Sequence, residues 1–266
     1  MSKNLIKQMM VKPDEGKDPF DAAGFVDKIN KGYVANLETK FQVKKKFIPS
    51  KIAYGEGKCP RYWYLAFEGA NFEDKSTPFS IANMKSGVHG HERVLGLALK
   101  NSDMFIDIEF DVSFNGKDGT LLLGGFCDGL VSWQGEEHVL ELKTQNNEAF
   151  EYRRNVGQPK TGHVEQLLLY MKVLKKAKGV ILYENKNTHE LLAFPIEVNE
   201  TYRNWINNTF DWMEVVKDSW KQKQLPMKPY RSNSKICKGC PLQSDCFKAE
   251  AGVVKIEPLE ELSETM

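Results

Sequence analysis

A chain of 266 residues with a net charge of +1 has room for one large domain, or for a domain with an added lobe. Hydrophobic residues make up 41% and charged residues 27%, the usual balance of a soluble globular protein. No apolar run approaches the roughly 20 residues that cross a bilayer, and residues 1–12 lack the apolar stretch of a secretory signal. We therefore expect a cytoplasmic protein (host cytoplasm if viral) without a membrane partner.

The nearly neutral charge argues against a protein that coats nucleic acid, because such proteins are usually strongly basic. It leaves room for a local basic groove, whose lining could include Lys44, Lys45, Lys46, Lys51, Lys58 and Arg61. A solvated charged surface explains each single lysine equally well.

The first part of the chain predicts helices. Residues 1–46 are expected to form a loose N-terminal arm with short helical pieces. A helix should start at Cys59, because Pro60 then occupies its first turn. A second helix over about 84–100 is indicated by side chains that share one helical face, namely His91, Leu95, Ala98 and Leu99.

Three consecutive antiparallel strands are predicted next, over 105–114, 120–133 and 138–144. The first alternates between apolar and polar residues, which is typical of a half-buried strand. Its apolar side chains are expected on a single face, and they are Ile106, Ile108, Phe110, Val112 and Phe114.

The second half alternates between helices and strands. An apolar stripe predicts a helix over 161–176, and short strands follow at 179–184 and 191–198. The later strand should lie at a sheet edge, because Pro195 cannot donate a hydrogen bond to a neighbour. A long helix is expected around 202–220. Residues 255–266, with four glutamates and one lysine, predict a disordered acidic tail.

The most informative residues are two carboxylates and a lysine on neighbouring strands. Glu141 and Lys143 are two residues apart and share a face, while Leu142 points the other way. Asp128 belongs to the adjacent strand, so its carboxylate can lie beside Glu141. Converging carboxylates repel each other and are costly to bury, but they suit a hard divalent cation. Taken alone, Glu141 and Lys143 also fit an exposed cross-strand ion pair.

Two further features accompany this group. His91 lies on the apolar face of the preceding helix, where a core histidine is the alternative and His89 a competitor. Gln166 and Tyr170 are neighbours at i and i+4 on the 161–176 helix, off its main apolar stripe. Such side chains could hydrogen-bond a metal shell or a nucleic-acid strand.

The order Gly87-x-x-x-His91, Gly125-x-x-Asp128, Glu141-x-Lys143 and Gln166-x-x-x-Tyr170 resembles the RecB-type branch of the PD-(D/E)XK nucleases. The resemblance implies a restriction-endonuclease-like core that cleaves DNA. It further implies that His91, Asp128, Glu141 and the Leu142 carbonyl bind Mg²⁺ or Mn²⁺, with Lys143 catalytic alongside both carboxylates. Gln166 and Tyr170 would complete the catalytic site.

The chain has five cysteines, three of them in the tight triplet Cys237-x-x-Cys240-x-x-x-x-x-Cys246. The triplet indicates a metal site rather than a disulfide framework. A fourth thiolate must come from Cys59 or Cys127, and Cys59 is the better candidate because Cys127 adjoins Asp128 in a strand. Four thiolates suit structural zinc or a four-iron cluster.

An early cysteine with a late triplet closely resembles the iron–sulfur members of the same superfamily, which include CRISPR-associated exonucleases and the nuclease subunits of AddAB-type helicases. This resemblance implies a [4Fe–4S] cluster held by Cys59, Cys237, Cys240 and Cys246. The implied nuclease domain spans 47–248. Its helical cluster lobe comes from 47–75 and 225–248, its catalytic core covers about 83–224, and an acidic tail follows at 249–266.

These inferences predict an α/β fold, with a central mixed sheet flanked by helices and a helical iron–sulfur lobe. The expected activity is metal-dependent hydrolysis of DNA. By analogy with the iron–sulfur members of the superfamily, the protein would be an exonuclease in recombination, repair or bacteriophage replication. A helicase or recombination protein is a possible partner, because the chain has no nucleotide-binding P-loop motif. Two alternatives stay open: a non-catalytic iron–sulfur DNA-binding module, and a zinc-stapled interaction protein.

Overall fold

The computed structural model describes residues 20–263 as helices around one principal sheet. In chain order the elements are α1 (Ala22–Val34), β1 (Lys40–Gln42), α2 (Pro49–Ile52), α3 (Pro60–Glu68), β2 (Ala70–Phe72), α4 (Pro78–His91), β3 (Phe105–Asn115), β4 (Leu121–Trp133), β5 (Glu136–Gln145), α5 (Asn147–Val156), α6 (Thr161–Leu174), β6 (Lys178–Asn185), β7 (Leu191–Glu197), α7 (Glu200–Lys221), α8 (Lys235–Gly239) and α9 (Gln243–Lys248). A 3₁₀ turn (Gly55–Lys58) precedes α3, and a π-helical segment (Glu92–Leu99) continues α4.

The principal sheet has five strands in the order β3-β4-β5-β6-β7. Strand β4 is antiparallel to both of its neighbours, β3 and β5, as the sequence predicts. Strand β6 is parallel to β5 and β7 is antiparallel to β6, so the prediction of a central mixed sheet flanked by helices is confirmed. Strand β7, which contains Pro195, lies at the edge.

Opposite faces of the sheet bury different clusters. The main cluster packs β-strand residues such as Ile181 against α3, α6 and α7. The smaller cluster packs Leu95 of the π-helical segment against Leu140 and Leu142 of β5. Since neighbouring residues of a strand point to opposite faces, Glu141 and Lys143 point toward the face that α6 covers.

Strand β3 departs from the predicted single apolar face. Ile108 packs against the smaller cluster, whereas Phe110 packs against the main cluster on the other side of the sheet. Between them Glu109 has a φ of 51°, a left-handed conformation that few residues other than glycine adopt. The prediction that Ile108 and Phe110 share a face is therefore wrong, because the backbone inverts at Glu109.

The predicted N-terminal arm falls partly outside the described residues, since 1–19 are not among them. The remainder contains α1, which buries none of its side chains, and β1, which pairs with β2. Among the helices within residues 20–263, none is both long and apolar enough to cross a membrane.

The prediction of a disordered acidic tail is wrong for residues 255–263. Ile256, Leu259 and Leu262 are buried in the main cluster, and the indole N–H of Trp205 on α7 donates to the Glu260 carbonyl at 3.1 Å. The segment is acidic overall, but its apolar residues recur every three positions. It can therefore bury one side while its glutamates face water. The last three residues, 264–266, lie outside the described part.

Replacing a buried leucine of this segment is expected to destabilise the whole domain. Leu259→Ala should lower the free energy of unfolding by about 2–4 kcal/mol, because a leucine truncated inside a packed core loses its contacts and leaves a cavity. Denaturant unfolding followed by circular dichroism measures the change. The matched control is Leu191→Ala on an exposed position of β7, where a loss of similar size would contradict a packed C-terminal segment.

Candidate active site

The β4–β5 hairpin brings two carboxylates together. Gly129 pairs with Leu140 in the antiparallel register, so the next residues toward the open end of the hairpin, Asp128 and Glu141, lie side by side. The Leu142 N–H donates to Asp128 Oδ2 at 2.8 Å, which fixes the Asp128 carboxylate against the backbone of β5.

Glu141 is fully buried beside Lys143. The Lys143 Nζ lies 2.5 Å from Glu141 Oε1, and apart from this ion pair the described residues offer neither Glu141 oxygen a hydrogen-bond partner. Burial, with the nearby charge of Asp128, raises the pKa of Glu141 to about 8. Burial also raises the pKa of Asp128, against the opposing effects of Lys143 and His91.

Lys143 keeps its positive charge in this setting. Burial works against the ammonium form, but the carboxylates of Glu141 and Asp128 outweigh it and raise the pKa of Lys143. The group is therefore an acidic pair with one cation, held in a low-dielectric environment where each charge acts strongly.

His91 is the last residue of α4 and lies close to this group. Its Nδ1 lies 3.8 Å from Asp128 Oδ1 and 3.9 Å from Glu109 Oε1. The competing His89 is largely exposed and contacts Glu92 instead. The structure thus brings His91, and not His89, to the carboxylates.

Gln166 and Tyr170 are buried, as is every residue of α6 from His163 to Met171. A Cβ on Gly125 would lie only 3.1 Å from the Tyr170 hydroxyl oxygen, so glycine at 125 permits the close approach of α6. Burial and the charges of Glu141 and Asp128 raise the pKa of Tyr170. Gln166 Oε1 has no hydrogen-bond partner within the described residues.

A sequence model of the PD-(D/E)XK nuclease superfamily matches residues 88–247. This span is more than half of the chain and contains all of the side chains placed above. The chain belongs to the PD-(D/E)XK nuclease superfamily.

Solved structures are similar to this chain to different extents. LHK-Exo in complex with dAMP aligns with a TM-score of 0.50 and 13% identity, over 74% of this chain and 95% of that one. Another structure of LHK-Exo, described as an alkaline exonuclease from Laribacter hongkongensis, aligns with a TM-score of 0.44 and 14% identity, over 53% and 72%. The protein SSO0001 aligns with 0.45 and 15%, over 87% and 98%. At these identities the likeness concerns the fold alone. A comparison with curated proteins gives no match.

PD-(D/E)XK nucleases generally use Mg²⁺ or Mn²⁺. As the side chains stand, residues 20–263 contain no group of three or more His, Cys, Asp or Glu that could hold a metal ion. The donor chemistry nevertheless fits a hard divalent cation, because the two buried oxygens of Glu141 have no hydrogen-bond partner beyond the Lys143 ion pair and Asp128 adjoins them. An oxygen-rich donor set of this kind is what Mg²⁺ and Mn²⁺ prefer.

The four predicted cluster cysteines lie around one small cavity. Cys59, Cys237, Cys240 and Cys246 all line a space of about 30 Å³ between the start of α3 and the α8–α9 segment. Burial raises the pKa of Cys59 to about 12 and that of Cys240 to about 11, so without a metal these thiols stay protonated. Cys127 lies elsewhere, buried in β4 beside the carboxylates.

The predicted basic groove is wrong for two of its six members. Arg61 is fully buried, and its guanidinium donates to backbone carbonyls between residues 226 and 251, including that of Pro226 at 2.6 Å. Lys58 is buried against Glu165, with 2.8 Å between Nζ and Oε1. Both cations have structural partners that are distant along the chain, separated by 107 residues for Lys58–Glu165 and 165 for Arg61–Pro226, so the local sequence does not indicate them.

Sequence reasoning missed three residues around the site. His163 is buried on α6, and its Nδ1 lies 2.8 Å from the Tyr183 hydroxyl oxygen of β6. Burial, with a contribution from Lys143, lowers the pKa of His163 to about 2, so this imidazole is neutral. Its spacing of three residues before Gln166 was the available signal. Tyr183 is the second missed residue and Glu109 is the third. The backbone of Glu109 has the left-handed conformation, which no local motif indicates.

The raised pKa of Glu141 predicts a pH-dependent stability in the metal-free protein. The folded state binds the proton more tightly than the unfolded state, so this stability is fully present below about pH 4.5 and is lost as the pH rises through about 8. Thermal unfolding in EDTA across this range should show the decline. Glu141→Gln should flatten it, because the amide does not titrate.

The matched control is Glu148→Gln, which removes an exposed carboxylate from the first turn of α5. It should keep the slope of the wild-type protein. An equal slope in Glu141→Gln and wild type would show that burial of Glu141 does not govern the pH dependence.

Proposed function

We propose that this protein is a divalent-metal-dependent DNA nuclease that hydrolyses phosphodiester bonds, and that it acts as an exonuclease on DNA ends. The observation that carries the proposal is the buried Asp128–Glu141 pair with Lys143 alongside and His91 within 4 Å of Asp128. Structural ion pairs are seldom built with two adjacent buried carboxylates, since removing like charges from water is costly. Catalytic sites use such arrangements.

Each side chain has a role that its position allows. His91, Asp128, Glu141 and the Leu142 carbonyl would hold Mg²⁺ or Mn²⁺, which supplies Lewis acidity to a phosphate and to a bound water. The Lys143 ammonium stabilises the negative charge that develops on the phosphate oxygens. Gln166 and Tyr170 offer hydrogen bonds from α6, and the buried floor of the site excludes bulk water.

The finer assignments rest on resemblance. The RecB-type order of motifs favours DNA as substrate. Action on ends is favoured by LHK-Exo, which is described as an alkaline exonuclease and whose complex with dAMP aligns with a TM-score of 0.50. Roles in recombination, repair or phage replication, with a helicase or recombination protein as partner, belong to the same proposal.

We also propose a structural [4Fe–4S] cluster held by Cys59, Cys237, Cys240 and Cys246. The shared cavity supports it, and a thiolate ligand set is suited to iron–sulfur clusters. Contacts between the predicted lobe halves, 47–75 and 225–248, point the same way: the Glu73 N–H donates to the Pro241 carbonyl at 2.9 Å. A cluster at this point would join the two ends of the nuclease domain.

Cleavage of DNA tests the catalytic part. Wild-type protein with Mn²⁺ or Mg²⁺ should shorten end-labelled DNA, and Lys143→Ala should lower the rate at least about a hundredfold, because a preorganised charge at the reacting phosphate is lost. Lys100→Ala, at an exposed position, is the control and should cleave at the wild-type rate. Binding of DNA without cleavage by any of the three proteins would instead favour the non-catalytic module.

Metal analysis tests the cluster. Anaerobically purified protein should be brown and contain iron and acid-labile sulfide in the proportions of a [4Fe–4S] cluster, and Cys246→Ala should lose both. Cys127→Ala removes a buried cysteine outside the cavity and should retain them. A colourless protein that contains zinc would overturn the iron–sulfur assignment.

A further inference from the structure

Helix α4 carries His91 but is held on the sheet by very little apolar packing. Within Pro78–His91 the only buried residue is Gly90, while Phe79, Met84 and Val88 are largely exposed. Most helices in proteins are stabilised by packing an apolar face. Apolar packing begins only after His91, where Val94, Leu95 and Leu99 of the π-helical segment are buried, so the last turn of α4 itself depends on other contacts.

The first of these contacts is a close backbone approach. A Cβ on Gly90 would lie 2.3 Å from Thr144 Cγ2 and 3.0 Å from Glu184 Oε2, so no larger residue fits there. Thr144 and Glu184 are register partners on the parallel strands β5 and β6. The last turn of α4 thus lies directly on the strand that carries Lys143.

The second contact is an ion pair made by Arg93, two residues after His91. Arg93 donates from Nε and Nη2 to Glu184 Oε1, at 3.0 and 2.7 Å. Glu184 is only 1% exposed, and His189 Nδ1 lies 3.1 Å from the same oxygen. Charge-assisted hydrogen bonds to a buried carboxylate are among the stronger polar contacts in proteins. A further contact joins Lys186 Nζ to Asn83 Oδ1 at 3.0 Å.

The backbone changes from α-helix to π-helix at this point, between His91 and Glu92. Segments of π-helix occur often at functional sites, where they redirect side chains. Arg93 therefore anchors the first turn of the π-helical segment that directly follows His91.

We propose that Arg93 and Glu184 are positioning residues for His91, which fix its distance from Asp128 and so set the affinity of the site for a divalent cation. This inference rests on the proposed metal-dependent function. Neither residue contacts the carboxylates of the site; the ion pair acts by anchoring the end of α4 to β6.

The test is a double-mutant cycle read by Mn²⁺ binding. The variant Arg93→Gln/Glu184→Gln removes both charges together, so that no uncompensated charge is left buried. Isothermal titration should show Mn²⁺ affinity about 10- to 100-fold weaker than wild type, the usual effect of losing a partner that orients a metal ligand. The same double substitution in a His91→Ala background should weaken binding no further, because its effect passes through His91.

Two further measurements accompany the Mn²⁺ titration, one on a control variant and one on the cleavage rate. Lys117→Gln breaks the exposed Lys117–Asp211 ion pair and should leave Mn²⁺ affinity unchanged. Saturating Mn²⁺ should restore the cleavage rate of Arg93→Gln/Glu184→Gln to near the wild-type value, since the carboxylates and Lys143 are intact.

Three outcomes would overturn the inference. Unchanged Mn²⁺ affinity in the double variant would show that the ion pair does not position the ligand. An equal loss in the wild-type and His91→Ala backgrounds would show that it stabilises the domain without acting through His91. Wild-type protein that binds no Mn²⁺, or binds it equally well after His91→Ala, would refute the proposed metal site and the inference with it.

Discussion

The burial of Glu141 is the constraint on which the arrangement of this protein depends. A carboxylate removed from water is strongly disfavoured unless it is paired or protonated, and here a second carboxylate, Asp128, lies beside it. Lys143 offsets part of that penalty at 2.5 Å, and the raised pKa of Glu141 shows that the penalty is not fully offset. Only a rigid support can hold such a group, and the antiparallel β4–β5 hairpin, paired on both sides, provides it.

The rest of the fold covers and closes this support. Helix α6 covers the Glu141 face, and its own buried Glu165 binds Lys58 and the Leu262 N–H. The C-terminal segment is thereby tied to the helix that completes the site. Arg61 performs a similar role at the start of α3, where its guanidinium bonds several C-terminal carbonyls. Polar contacts of Lys58 and Arg61, which flank Cys59 and Pro60, thus join this part of the chain to α6 and to residues 226–251.

The features that sequence predicted well are those that depend on local periodicity. The strand order β3-β4-β5, the presence of helix α6 and the shared face of Glu141 and Lys143 follow from side-chain spacing alone. The single apolar stripe predicted for α6 is not observed, because every residue from His163 to Met171 is buried. The features it missed depend on partners distant in the chain. Lys58 and Arg61 bind partners that are distant along the chain, and the reversal of β3 at Glu109 depends on a single backbone angle, neither of which leaves a signal in the neighbouring residues.

The site is assembled from parts of unequal rigidity. Asp128, Glu141 and Lys143 sit on central strands within the core, whereas His91 ends a helix that buries only Gly90 and lies just before the packed π-helical segment. Segments with little apolar burial open at lower free energy than the core of a protein. Opening of α4 would move His91 away from Asp128 while leaving the carboxylate pair and the lysine in place. The arrangement therefore separates the groups that carry charge, which the sheet fixes, from the imidazole, whose position depends on polar contacts at the helix end.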